Sequence, residues 1–71
     1  MSLIQVKATE GVYGERQKQG AIAKLTDALA ETVGERIRSV VVVTFREVQS
    51  GAWGIAGKPV TTEGVQALSK G

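Results

Sequence analysis

The chain contains no cysteine and no histidine, a single proline, and one each of phenylalanine, tyrosine and tryptophan. Without cysteine there is no disulfide and no thiolate metal site. Without histidine the remaining metal ligands are scattered carboxylates, which argues against the usual zinc and haem centres. It also removes the base that would activate a serine nucleophile. No stretch approaches the roughly 18 apolar residues of a membrane span. Residues 1–10 carry charge and alternate in polarity, unlike a signal peptide, so a cytoplasmic location is expected. Clustered charge is lacking too. Lys7, Arg16, Lys18, Lys24, Arg36, Arg38, Arg46, Lys58 and Lys70 are spread along the chain and leave a net charge of only +2. Nucleic-acid binding calls for a basic stripe, so no nucleic-acid partner is expected. A few cations around one small anion fit the same numbers.

What is present is small and aliphatic: 42% of the 71 residues are hydrophobic and only 4% aromatic. This length predicts one domain spanning 1–71. A domain this small hides only about 60% of its unfolded surface. It needs a staple, and with disulfides and metals set aside the remaining one is association with other chains.

Residues 3–8 alternate, with Ile4, Val6 and Ala8 on one side and Leu3, Gln5 and Lys7 on the other. That period of two predicts a strand. Gly11 and Gly14 mark a loop around Val12 and Tyr13. From Glu15 to Val33 the period becomes helical, with Ile22, Leu25, Leu29 and Val33 on one stripe and Lys18, Lys24, Asp27 and Glu31 opposite. Gly34 is a natural helix stop, and Gly14 stands where a polar cap is usual. Residues 39–45 form a β-branched run, expected to be a strand buried on both faces and ended by Arg46 and Glu47. Residues 50–57 read as a loop or hairpin bracketing Trp53 with glycines, and Pro59 argues against a central strand there. Thr62 is read as the cap of a short C-terminal helix docked by Val65 and Leu68. Strand, helix, strand in one sheet predicts a right-handed parallel crossover. Two strands and one helix leave edges and apolar faces for other copies to cover.

The opening Ser2-Leu3-Ile4-Gln5-Val6-Lys7 with Glu10-Gly11, the helix segments Gln17-Lys18 and Leu25-Thr26-Asp27-Ala28, and the hairpin from Glu47 to Lys58 together resemble the 4-oxalocrotonate tautomerase family. The resemblance covers residues 2–62 and leaves 63–71 as an extension. It implies an α+β fold: a β-α-β subunit with two parallel strands, one long helix and a C-terminal β-hairpin, with sheets that merge between subunits. It also implies a homohexamer built as a trimer of dimers, or a hetero-oligomer with a paralogue. The implied activity is isomerase chemistry without cofactor or metal, a keto–enol tautomerisation of a small unsaturated 2-keto acid or 2-hydroxydienoate. In the family an amino-terminal proline is the base, two arginines hold the substrate, and an aromatic residue makes the pocket apolar, which keeps the amine uncharged near neutral pH.

Ser2 stands where that proline stands, and Val12 where the best-known members carry an arginine. Counting back from the hairpin puts Val42 at the second arginine position, with Arg38 and Arg46 as the alternatives nearby. Trp53 retains the aromatic position. The candidate site residues are therefore Ser2 as catalytic group and Trp53, Arg38 and Arg46 as substrate contacts. Each has a plainer reading. Ser2 starts a strand, Trp53 plugs an interface, Arg38 belongs to a solvated turn, and Arg46 and Glu47 pair with charges on a neighbouring strand. Lys7 faces either pocket or solvent. Two functions follow: a weak or altered tautomerase, or a silent binding or structural subunit, possibly the partner of a proline-bearing paralogue.

Overall fold

The computed structural model describes residues 1–70; the last residue of the expected extension 63–71 lies outside them. The order is β1 (Ser2–Thr9), α1 (Glu15–Val33), a 3-10 helix (Glu35–Val40), β2 (Val41–Val48), β3 (Gly54–Ile55), β4 (Lys58–Pro59) and α2 (Thr62–Lys70). Strands β1 and β2 pair in parallel from Ser2↔Val41 through Thr9↔Val48. Helix α1 returns the chain between them, as the crossover argument requires.

Helix α1 occupies the span that the hydrophobic period predicted. Its start uses half of a capping box: the Gly14 N–H donates to Gln17 Oε1 at 2.8 Å. Its end is Gly34, whose φ of 129° suits glycine and whose N–H closes on the Ala30 carbonyl at 2.9 Å. The alternation in β1 also holds. Ile4 and Val6 are half-buried while Leu3, Gln5 and Lys7 are exposed.

Strand β2 departs from expectation at both ends. Ser39 and Val40 belong to the 3-10 helix, and the strand runs on through Arg46 and Glu47 to Val48. Polar residues do not end it because β1 offers a partner at every step to Thr9. Glu47 is satisfied in place, accepting from the Gly11 N–H at 3.2 Å and pairing with Lys18 of α1. Its charge partner is thus on the helix and not on the neighbouring strand. Nor is the valine run buried on both sides in this chain: Val40 and Val42 are 41% and 43% exposed.

The hairpin is short. Gly54 and Ile55 pair with Pro59 and Lys58, and the turn residues Ala56 and Gly57 both have positive φ, 52° and 82°. Two positive φ values are what a tight primed turn demands. A Cβ on Gly54 would meet the Lys58 carbonyl oxygen at 2.7 Å, so only glycine fits there.

Helix α2 forms, but its cap is Thr61: Oγ1 accepts from the Gly64 N–H at 3.1 Å. Thr62 is instead a latch. Its hydroxyl donates to the Glu10 carbonyl at 2.7 Å and its N–H to Ser50 Oγ at 2.9 Å. Gln66 adds a bond to the Gly11 carbonyl at 2.9 Å. Val65 is half-buried, but Leu68 is 81% exposed and docks on nothing in this chain.

The chain encloses little. Among the described residues only Ala8, Thr9 and Ala30 are buried. Its accessible surface is 5396 Å², against about 4,250 Å² for a globular monomer of this mass. The radius of gyration is 14.6 Å, against about 11 Å for a compact chain of this length. Surplus surface and an elongated shape of 42 × 23 × 17 Å are the properties of a piece built to be covered.

Candidate functional site

Parallel pairing decides where the candidate residues lie. Ser2 opens β1 beside Val41, at one end of the sheet. Trp53 follows β2 at the other end. Three residues before it, the Ser50 N–H donates to Glu10 Oε2 at 2.9 Å, which ties that loop to the far end of β1. The two ends are seven residue steps apart, about 23 Å at the usual rise. One chain therefore keeps Ser2 and Trp53 apart, and a pocket holding both draws them from different copies.

At Trp53 the hairpin forms an open concavity of about 440 Å³, lined by Gly51, Ala52, Trp53, Gly54, Gly57 and Pro59. The indole is 37% exposed, and the hairpin is fixed behind it by Val60, whose N–H donates to the Trp53 carbonyl at 2.8 Å. Tyr13, in the loop after β1, is at the same end of the sheet. It packs edge-on against Phe45 with ring centroids 5.5 Å apart. The sequence marked this loop by its glycines, but gave no sign that Tyr13 would meet an aromatic ring from β2.

Around Ser2 the surface is apolar. Leu3 is 58% exposed, and Val40 and Val42 lie on the adjoining segment, each more than two-fifths exposed. Arg38 shares this end of the sheet, since it lies three residues before the partner of Ser2. Its guanidinium is engaged by Asp27 of α1 and by Glu35, at 3.1 Å. Those hydrogen bonds, first Asp27 and then Glu35, hold its pKa above the ordinary arginine value. Arg46 is elsewhere. It pairs with Lys7, five steps along the sheet from Ser2 and on the face turned away from α1. Of the four candidates, then, one chain places only Ser2 and Arg38 at the same end of the sheet.

The loop joining β1 to α1 is held from three sides, by Glu47, which accepts from the Gly11 N–H and is itself paired with Lys18, by Ser50 at Glu10, and by Thr62 and Gln66 of α2. Lys18 lowers the Glu47 pKa, with the Gly11 N–H adding to the effect, and Glu47 in turn raises that of Lys18.

A family model described as tautomerase enzyme matches residues 3–63. The chain belongs to the tautomerase family. A curated relative, "Probable tautomerase K2" of Dickeya dadantii, is 37% identical over 68 residues, covering 94% of this chain and 98% of that protein. Two solved structures are similar as well. YwhB, a homologue of 4-oxalocrotonate tautomerase, superposes with a TM-score of 0.70 at 30% identity, over 79% of this chain and 88% of that one. DmpI from Helicobacter pylori gives 0.72 at 27% identity, over 82% and 94%. The tautomerase β-α-β arrangement with its hairpin is the fold found here. Among the described residues no helix is long and apolar enough to cross a membrane.

Proposed function

We propose that this tautomerase-family chain moves a proton within a small unsaturated 2-keto acid or 2-hydroxydienoate, in a pocket shared between copies, more weakly than a relative with an amino-terminal proline. The observation that carries this reading is the placement of Ser2 and Trp53 at opposite ends of one sheet, each beside exposed apolar surface. The chain works as one unit over 1–71, in a hexamer or with a paralogue, in the cytoplasm, and needs no cofactor. The reaction is an isomerisation. A base takes a proton from the enol oxygen, and a proton is delivered to a carbon at the far end of the conjugated system, so no atom is gained or lost.

With Met1 removed, Ser2 presents a primary α-amine, a class of group with a reference pKa of about 7.7–8.0. Apolar surface of another copy, Trp53 included, disfavours its charged form once it closes over the amine, and frees it to act as base. It is a primary amine where the family has a secondary one, which accounts for altered activity. Trp53 of another copy walls the pocket. Arg38 takes the substrate carboxylate in exchange for Glu35, while Arg46 lies too far along the sheet to reach the same ligand within one chain.

Mass spectrometry of the purified protein establishes whether Met1 is present. A ketonisation assay with phenylpyruvate or 2-hydroxymuconate then tests the activity. Ser2→Pro, with Met1 processed, is expected to raise the rate by about 100-fold or more, the scale of a positioned general base. A second reading, a silent subunit paired with a proline-bearing paralogue, is favoured by Ser2 in place of the proline and by Val12 and Val42, which put no cation at the two positions where the family carries arginine. A rate equal to buffer for both wild type and Ser2→Pro decides for that reading.

A further inference from the structure

The face of the sheet turned away from α1 carries Leu3, Gln5 and Lys7 from β1 beside Val42, Thr44 and Arg46 from β2. It is apolar at the Ser2 end and doubly cationic at the other. Lys7 and Arg46 are register partners, so two positive side chains stand on neighbouring strands about 4.8 Å apart. Like charges so placed repel. Among the described residues neither has a carboxylate within salt-bridge distance; the ion pairs of the chain use Lys18 and Arg38. The pair is also concave. With Gln5, Val6 and Thr44 it lines a cavity of about 280 Å³. That leaves room for a small anion together with part of its water.

We propose that Lys7 and Arg46 form a binding site for a small dianion, such as inorganic phosphate or a short dicarboxylate, on the uncovered face of the sheet. The chemistry is complementary. The guanidinium offers a planar fork that matches two oxygens, the ammonium adds a compact charge with three donors, and the Gln5 amide and Thr44 hydroxyl sit at the rim to satisfy further oxygens. The site also ties the anion to assembly. If a second copy covers this face, two desolvated cations with no counter-charge oppose closure, and a bound dianion removes that opposition. The site is about 17 Å along the sheet from Ser2, and the inference does not depend on tautomerase activity.

The test uses the full-length protein. Inorganic phosphate is titrated calorimetrically, and malonate separately, against sodium chloride of matched ionic strength. Sedimentation is measured in the same three salts. A saturable site for phosphate or malonate is expected, with tighter self-association than in chloride. Lys7→Gln or Arg46→Gln should each weaken the binding at least about tenfold, the effect of losing one charge-assisted contact. Lys7→Arg, which keeps the charge, should retain it and shows that loss in the glutamine variants is not misfolding. No saturable binding by wild type, or binding unchanged in the Lys7→Gln/Arg46→Gln double variant, overturns the proposal. Binding of a polyglutamate peptide without binding of phosphate or malonate also overturns it, and assigns the cation pair to an acidic protein partner.

Discussion

On one face of the β1–β2 sheet, Ile4, Val6, Val43 and Phe45 are half-buried against α1. On the other, Leu3 and Val42 are 58% and 43% exposed, with Lys7 and Arg46 beyond them. The two faces come from alternate residues of the same strands, so propensity and pairing are identical and only covering differs. Among the described residues a helix covers one face and nothing covers the other. A sheet of two strands with one bare face is marginal on its own. The bare face is the one a further chain would have to cover, and the helix side is the one this chain covers itself.

The sharpest way to break this comparison is to charge the bare face. Leu3→Asp should weaken self-association by about 100-fold, through lost apolar burial and an unpaired carboxylate. Analytical ultracentrifugation reads it directly. A variant as large as wild type at equal concentration would put the interface elsewhere. The opposite experiment truncates the finished face. Phe45→Ala removes a half-buried ring that also supports Tyr13. Loss of a fully buried Phe costs about 3–5 kcal/mol, so about 2 kcal/mol is expected here, seen by denaturant unfolding at fixed protein concentration. Equal losses from both substitutions in dilute protein would mean that the faces do not differ as described.

A smaller effect asks how far the finished side relies on α2, which reaches Glu10 and Gly11 through Thr62 and Gln66. Removing the cap by Thr61→Ala should cost about 1 kcal/mol. Hydrogen exchange should quicken at Gly64 and Val65 of α2, whose N–H groups bond Thr61, and in the Glu10–Gly14 loop. Faster exchange confined to α2 would show that the latch does not hold the loop.

The parts that were legible from the residues are those fixed by local period. Alternation located β1, and the apolar stripe with Gly34 bounded α1, because each pattern has one structural meaning. Strand β2 runs past Arg46 because polarity is a poor stop signal when the partner strand continues and Glu47 finds a lysine on the helix. Thr61 and Thr62 are equivalent as residue types, so the sequence does not tell which of them caps α2; the Gly64 N–H closes on Thr61. The candidate residues can be named from the sequence, but their arrangement cannot. That Ser2 and Trp53 hang from opposite ends follows from strand direction combined with register, and register is a tertiary fact. The same register puts Lys7 against Arg46, a pairing invisible until the strand was known to run past Phe45.

The faintest difference between the faces is electrostatic and depends on pH. On the helix side a carboxylate, Glu47, meets Lys18; on the bare side two cations meet without one. Glu47 has a folded pKa below its ordinary value, chiefly through its hydrogen bond from Lys18. A depressed carboxylate stabilises the fold above its unfolded pKa, near about 4.3, and that contribution fades as pH falls through the lower folded value. Lys18 is raised, so its share is complete below its unfolded pKa, near about 10.4, and fades as pH rises through the higher folded value. The stability difference between wild type and Glu47→Gln should then be level from about pH 5 to pH 9 and shrink on both sides. Both groups are reached by solvent, so the plateau is small, and raising the salt should lower it further. A difference that persists undiminished to pH 2 would mean that Glu47 acts through shape and not through charge. The bare face would then differ from the finished one in covering alone.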